Sequence, residues 1–165
     1  MAAAGSLCGA LLGMKLKHMD PHGVRSGPPT PKVPVLVELF TSEGCSSCPP
    51  ADKLLARLQR QQPAAGALII PLSEHVDYWD GASWRDPFSS PAFTARQGAY
   101  VRALRAQDTY TPEMVVDGQA EFVGSDEDAA LNSISAAAEV RKAKVEVSVS
   151  GDNILDTRIH GIMNS

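Results

Sequence analysis

Three cysteines in 165 residues are too few, and odd in number, for a disulfide-stapled scaffold. Charge of one sign is also missing: 15 Lys and Arg stand against 19 Asp and Glu, a net charge of -4. That balance lacks the basic footprint that nucleic acid or an anionic membrane surface would require. No apolar run is long enough to cross a bilayer, which needs about 20 residues. The nearest, Ala2 to Met14, is too short. No internal repeat is present, so no integral membrane segment and no repeat architecture is expected.

What remains is a chain with 44% hydrophobic and 21% charged residues, the composition of one globular domain of ordinary size. Ala2–Met14 looks like a short apolar export-signal core. Yet no Lys or Arg precedes it, and no clean small-x-small cleavage site follows. A degenerate export signal and a plain tail both fit. Lys15 to Pro34 is rich in Pro, Gly and His and reads as a linker.

Regular structure is expected from Val33. VPVLVELF, Val33–Phe40, is a nearly unbroken apolar run, as in a strand buried on both faces. Ala51, Leu54, Leu55 and Leu58 then recur at helical spacing as far as Gln62, where Pro63 and Gly66 end the pattern. ALIIPL, Ala67–Leu72, is a second buried strand, so a parallel crossover is predicted. An aromatic and Asp-rich loop covers Glu74–Ser90. Ser90-Pro91 then starts a helix with Phe93, Tyr100, Val101 and Leu104 on its apolar side. Met114–Val116 and Glu121–Val123 flank the hairpin turn Asp117-Gly118. Ser125–Asp128 opens an Ala-rich helix running to about Lys142, with acid in its first turn. The predicted order is βαβαββα, followed by the start of a further β segment at Lys144–Val149.

Cys45-Ser46-Ser47-Cys48 falls at the first strand-to-helix junction. A C-x-x-C there, within this element order, predicts a thioredoxin-like α/β fold: a central mixed sheet with flanking helices. Thr111-Pro112 stands just before the hairpin strand, where such folds place a cis-proline against the cysteine pair. Thr111 would offer backbone groups to a substrate segment. The strings VELFTSEGCSSCPPADKLL, HVDYWD, DPFSSPAFTARQ, YTPEMVVDG and EFVGSD together resemble the bacterial family called domain of unknown function 1223. The resemblance runs from about Val33 to Ala138 and implies a thioredoxin-like, mostly exported protein with no established activity. Members usually continue with a further β-rich segment. The resemblance therefore divides the chain into a tail and linker at 1–32, a thioredoxin-like domain at 33–142, and an incomplete β-rich segment at 143–165.

The chemistry expected of the pair is thiol–disulfide exchange with a protein or small-molecule disulfide or dithiol. Cys45 is the attacking thiolate and Cys48 the resolving thiol. Pro49 and Pro50 should start the regular helix beside Cys48, leaving the CSSC turn just outside it and weakening the dipole's pull on Cys45. Ser46 and Ser47 are candidate hydrogen-bond donors to a thiolate. Glu38 is the candidate buried acid beneath the pair, handing protons to and from Cys48. His75–Asp80, HVDYWD, closes a strand where α/β sheets gather ligands. Asp77 and Trp79 are therefore candidate substrate-binding residues, against an alternative in which Trp79 and Trp84 pack and Asp77 caps a loop. Arg85 and Arg96 read as surface charges. No cofactor is called for. Two other readings of the thiols stay open: a Cu or Zn site with His75 as third ligand, or a redox-inert interaction domain.

Overall fold

The computed structural model describes residues 31–151 and 154–161. The tail with its export-signal reading, and Cys8, lies outside the described residues. β1 (Val33–Thr41) is paired on both edges. It runs parallel to β2 (Ala67–His75) and antiparallel to β3 (Glu113–Val116). β3 turns through Asp117-Gly118 into β4 (Ala120–Val123), so the sheet order is β2-β1-β3-β4. α1 (Pro49–Gln61) makes the β1-to-β2 crossover. α2 (Pro91–Leu104) and α3 (Glu127–Glu139) follow β2 and β4. The result is the expected α/β architecture, a mixed sheet with three helices in a thioredoxin-like arrangement.

Alternation along β1 sorts the molecule into two layers. Val35, Val37 and Leu39 are fully buried against Ala51, Leu54, Leu55 and Leu58 of α1 and Ala130 and Ile134 of α3. Burying each large aliphatic side chain contributes about 1.5–3 kcal/mol, and this layer holds most of them. Glu38 and Phe40 face the other way, toward α2. There Phe40, Val76 and Val115 form a small cluster with Tyr100 and Leu104. The full apolar stripe expected on α2 is not what seats it, because Gln97 is its one fully buried side chain. Polar contacts do that work, as described below.

The helix ends follow their local chemistry. Ser90 caps α2 by accepting from Ala92 N–H at 3.2 Å, and Asp126 caps α3 by accepting from Ala129 N–H at 2.9 Å. Gln62, in the left-handed conformation after α1, brackets the Ile69 backbone: Nε2 donates to its carbonyl at 3.0 Å, and its N–H donates to Oε1 at 2.8 Å. α3 stops at Glu139, three residues before the expected Lys142. Val140 is extended, and the Lys142 ammonium instead reaches the Pro34 carbonyl and the Asp117 carboxylate.

Beyond α3 the single expected strand is the first arm of a hairpin. β5 (Lys144–Val149) and β6 (Leu155–His160) form a separate two-stranded sheet. Val145 and Ile159 lie opposite each other, as do Val149 and Leu155, so one face is apolar. The residues between them, such as Glu146 and Arg158, put charge on the other face.

Gly124 shows how tightly β3, α1 and β1 converge. A Cβ built there would lie 2.7 Å from Leu39 Cδ1, 3.1 Å from Pro112 Cβ and 3.2 Å from Ala51 Cβ. Its N–H donates to the Pro112 carbonyl at 2.8 Å. Gly124→Ala is expected to destabilise the protein by about 1–3 kcal/mol, read by denaturant or thermal unfolding. An unchanged midpoint would show that the three elements are not in close contact.

Candidate functional site

The site begins where β1 hands over to α1. After Thr41 the chain turns, with Cys45 N–H donating to the Ser42 carbonyl at 3.1 Å. Cys48 caps α1 and Pro49 takes the first helical position, where an N–H would have no partner. Thr41 Oγ1 donates to Asp52 Oδ1 at 2.9 Å and ties the strand end to the first helical turn. Cys45 and Cys48 are joined in a disulfide. Cys48 is fully buried and Cys45 only 3% exposed.

The Thr111–Pro112 bond is cis, as its place before β3 predicted, and the Thr111 side chain touches the pair. Thr111 Oγ1 donates to Cys45 Sγ at 3.4 Å and accepts from Trp79 Nε1–H at 2.8 Å. The indole occupies the hydroxyl oxygen as donor, which leaves the hydroxyl proton for the sulfur. Ser47 Oγ stands 3.4 Å from the same sulfur and 3.5 Å from the Thr111 carbonyl, with one proton for either. Ser46 is exposed and takes part in none of these contacts.

A second loop covers this turn. A Cβ built on Gly44 would lie 3.4 Å from Trp79 Cβ and 3.2 Å from the Trp84 ring. Both indoles remain near half exposed, so they form a rim rather than a core. The loop is anchored by Asp86, a residue the sequence reading did not single out. Its buried carboxylate accepts from Glu43 N–H (2.8 Å), Ser42 Oγ (3.2 Å), Phe88 N–H (2.9 Å) and His75 Nδ1 (2.8 Å). Burial opposes its ionisation, but bonds from His75 and from the Glu43 and Phe88 amides prevail and hold its pKa at about 2. Asp-Pro before Phe88 was the available signal, since Asp favours such turns.

Comparisons with known proteins bear on this geometry. A family model described as protein of unknown function (DUF1223) matches residues 36–163. The chain belongs to that family. A crystal structure of a protein from Agrobacterium tumefaciens is 34% identical, with a TM-score of 0.63. The match covers 74% of this chain and 55% of that one, so this chain spans about half the length of its solved relative. No curated protein matches.

In this family member the other predicted site residues are dispersed. Asp77 caps the loop, its carboxylate accepting from Thr94 Oγ1 at 2.5 Å. His75 is held by Asp86 and not brought to the sulfurs. Among the described residues, no cluster of three or more His, Cys, Asp or Glu is arranged for a metal. Glu38 is buried, but not beneath the pair. Leu39 occupies the α1 side, and Glu38 points to α2, one residue's alternation away. Its carboxylate accepts from Arg96 Nε (2.5 Å) and Tyr100 Oη (2.6 Å). Arg96 is therefore not a free surface charge: its stem spans the helix surface while its guanidinium serves Glu38 and, at 3.4 Å, Glu74.

Two further buried acids share that face. Gln97 Nε2 donates to Glu113 Oε2 at 2.5 Å and to the Tyr110 carbonyl at 2.7 Å. Glu74 Oε2 and Glu113 Oε1 have no partner among the described residues. Burial raises the pKa of both to about 7, with the Glu38 charge adding to the rise at Glu74.

The folded protein thus binds these protons more tightly than the unfolded chain does. Their contribution to stability is fully present below the ordinary value of about 4.5 and declines as pH climbs through about 7. Glu74→Gln is expected to flatten that decline and to add about 1–3 kcal/mol at pH 8. Urea unfolding from pH 4 to 8 reads both. A wild-type curve that rises across this window would remove the buried-acid account.

Proposed function

We propose that the Cys45–Cys48 pair exchanges disulfides with a protein or small-molecule dithiol, so that the chain acts as a thiol–disulfide oxidoreductase. The observation that carries this reading is the pair of hydroxyl groups, Thr111 and Ser47, gathered on Cys45 Sγ beside the cis Thr111–Pro112 bond. A substrate thiolate attacks Cys45 Sγ and forms a mixed disulfide. The Cys45–Cys48 bond breaks, and Cys48 leaves as a thiolate that takes a proton from water. The second substrate thiol, deprotonated, attacks the substrate sulfur and expels the Cys45 thiolate. The substrate ends oxidised to a disulfide and the pair reduced to a dithiol. The reverse sequence reduces a disulfide. Cys48, fully buried, is the resolving sulfur. Thr111 Oγ1–H stabilises the Cys45 thiolate, oriented by Trp79. An exported, oxidising location accompanies this reading.

The slight exposure of Cys45 favours a second reading, a structural disulfide sealed under Trp79 and Thr111. Incubation of the folded protein with a glutathione redox series, followed by thiol labelling and intact mass, separates the two. Exchange predicts two added labels, with a midpoint within the poise of oxidising compartments. No label under any native condition would establish the structural disulfide.

Thr111→Val tests the thiolate contact. Losing one hydrogen bond to a charged sulfur costs about 1.5 kcal/mol, which raises the Cys45 pKa by about one unit. The rate of alkylation of the reduced protein against pH measures it. A profile superimposable on the wild type would remove Thr111 from the chemistry.

A further inference from the structure

His75 ends β2 with its ring fixed from two sides. Nδ1 lies 2.8 Å from the buried Asp86 carboxylate, and the ring meets Phe88 edge-on, centroids 5.4 Å apart. In the neutral imidazole with Nδ1–H donating to the Asp86 carboxylate, Nε2 carries the lone pair and is an acceptor. It has no partner among the described residues. His75 lines an open cavity of about 390 Å³ with Glu43, Ser73, Phe88 and Phe93. That volume lies within the range of small-molecule sites, about 300–1,000 Å³.

The lining defines what fits. Its polar groups are acceptors or neutral: the Glu43 carboxylate, His75 Nε2 and the Ser73 hydroxyl. Among the described residues no Lys or Arg lines the cavity, and the Asp86 anion stands behind the imidazole. The local field therefore favours a cation and repels an anion. Two phenyl rings supply the apolar walls, and Phe88 is 64% exposed with nothing covering it. Aromatic walls beside a carboxylate suit an organic cation on an apolar stem.

We propose that this cavity binds a small arylalkylammonium ion. Its ammonium head donates to Glu43, His75 Nε2 and Ser73, and its aryl body lies against Phe88 and Phe93. Asp86 is a positioning residue that fixes the His75 tautomer. The lining includes neither cysteine nor Thr111, so the site stands whether or not the disulfide exchanges.

The test titrates the full chain with phenethylamine, with phenylacetate as the charge-reversed probe. A third probe, N-acetyl-lysine amide, carries the ammonium on an aliphatic protein side chain. NMR shifts of the His75 ring and the Glu43 and Phe88 amides report binding. Saturable shifts are expected with phenethylamine, weaker ones with the lysine probe and none with phenylacetate. Glu43→Gln and Phe88→Ala, both at exposed positions, should each weaken phenethylamine by about fivefold, the worth of one partly exposed contact. Phenylacetate binding as well as the amine would overturn the proposal. So would failure of the amine to saturate, or affinity unchanged by both substitutions. Tighter binding of the lysine probe would overturn the small-molecule assignment in favour of a protein side chain.

Discussion

The structure depends on β1 being buried on both faces and paired on both edges. All nine residues pair with β2, and the four from Val37 to Phe40 pair with β3 as well, so the centre of the strand satisfies its backbone groups on both sides. Its two faces then demand different partners. The odd-numbered side is aliphatic and is closed by α1 and α3. The even-numbered side carries Glu38 into the interior, and a buried carboxylate is tolerable only when bonded. Arg96 and Tyr100 meet that demand, and in doing so they seat α2 on the sheet.

This polar layer explains why α2 has only a weak apolar stripe. Its inward residues Arg96, Gln97 and Tyr100 each hold an acid from a different part of the sheet or share one. Three carboxyl groups, Glu38, Glu74 and Glu113, face one guanidinium and one amide. The charge does not balance with all three ionised, and protonation of Glu74 and Glu113 near neutral pH relieves it. The cost is a layer less stable in alkaline solution than an apolar one of the same volume.

The sulfur pair sits at the meeting point of three separate chain segments. The CSSC turn, the loop carrying Trp79 and the strand entry at Thr111 converge on Cys45. None of these contacts lies within the sheet or the three α-helices, so Asp86 becomes the fastener that holds the covering loop to the turn. Loops placed this way by a rigid sheet are where binding and chemistry usually reside. The His75 cavity and the cysteine turn share that fastener but not their lining.

By itself the sequence determined the elements and their order. Apolar runs, helical spacing, Ser90 as a cap, the acidic start of α3, Asp117-Gly118 as a turn, and C-x-x-C at the first junction are all local signals, set by backbone chemistry within a few residues. It also pointed to the cis Thr111–Pro112 bond, because element order brings the start of β3 beside the end of β1. Only the tertiary structure decided which way Glu38 points. Side chains alternate along a strand, and one residue of register moves an acid from one layer to the other. It also decided that Arg96, which looks like any helix-surface charge, reaches a buried partner 58 positions away in the chain. Gln97 and Glu113 were illegible for the same reason: the energy of a buried polar group lies in its partners, and those are chosen by packing rather than by neighbours in sequence.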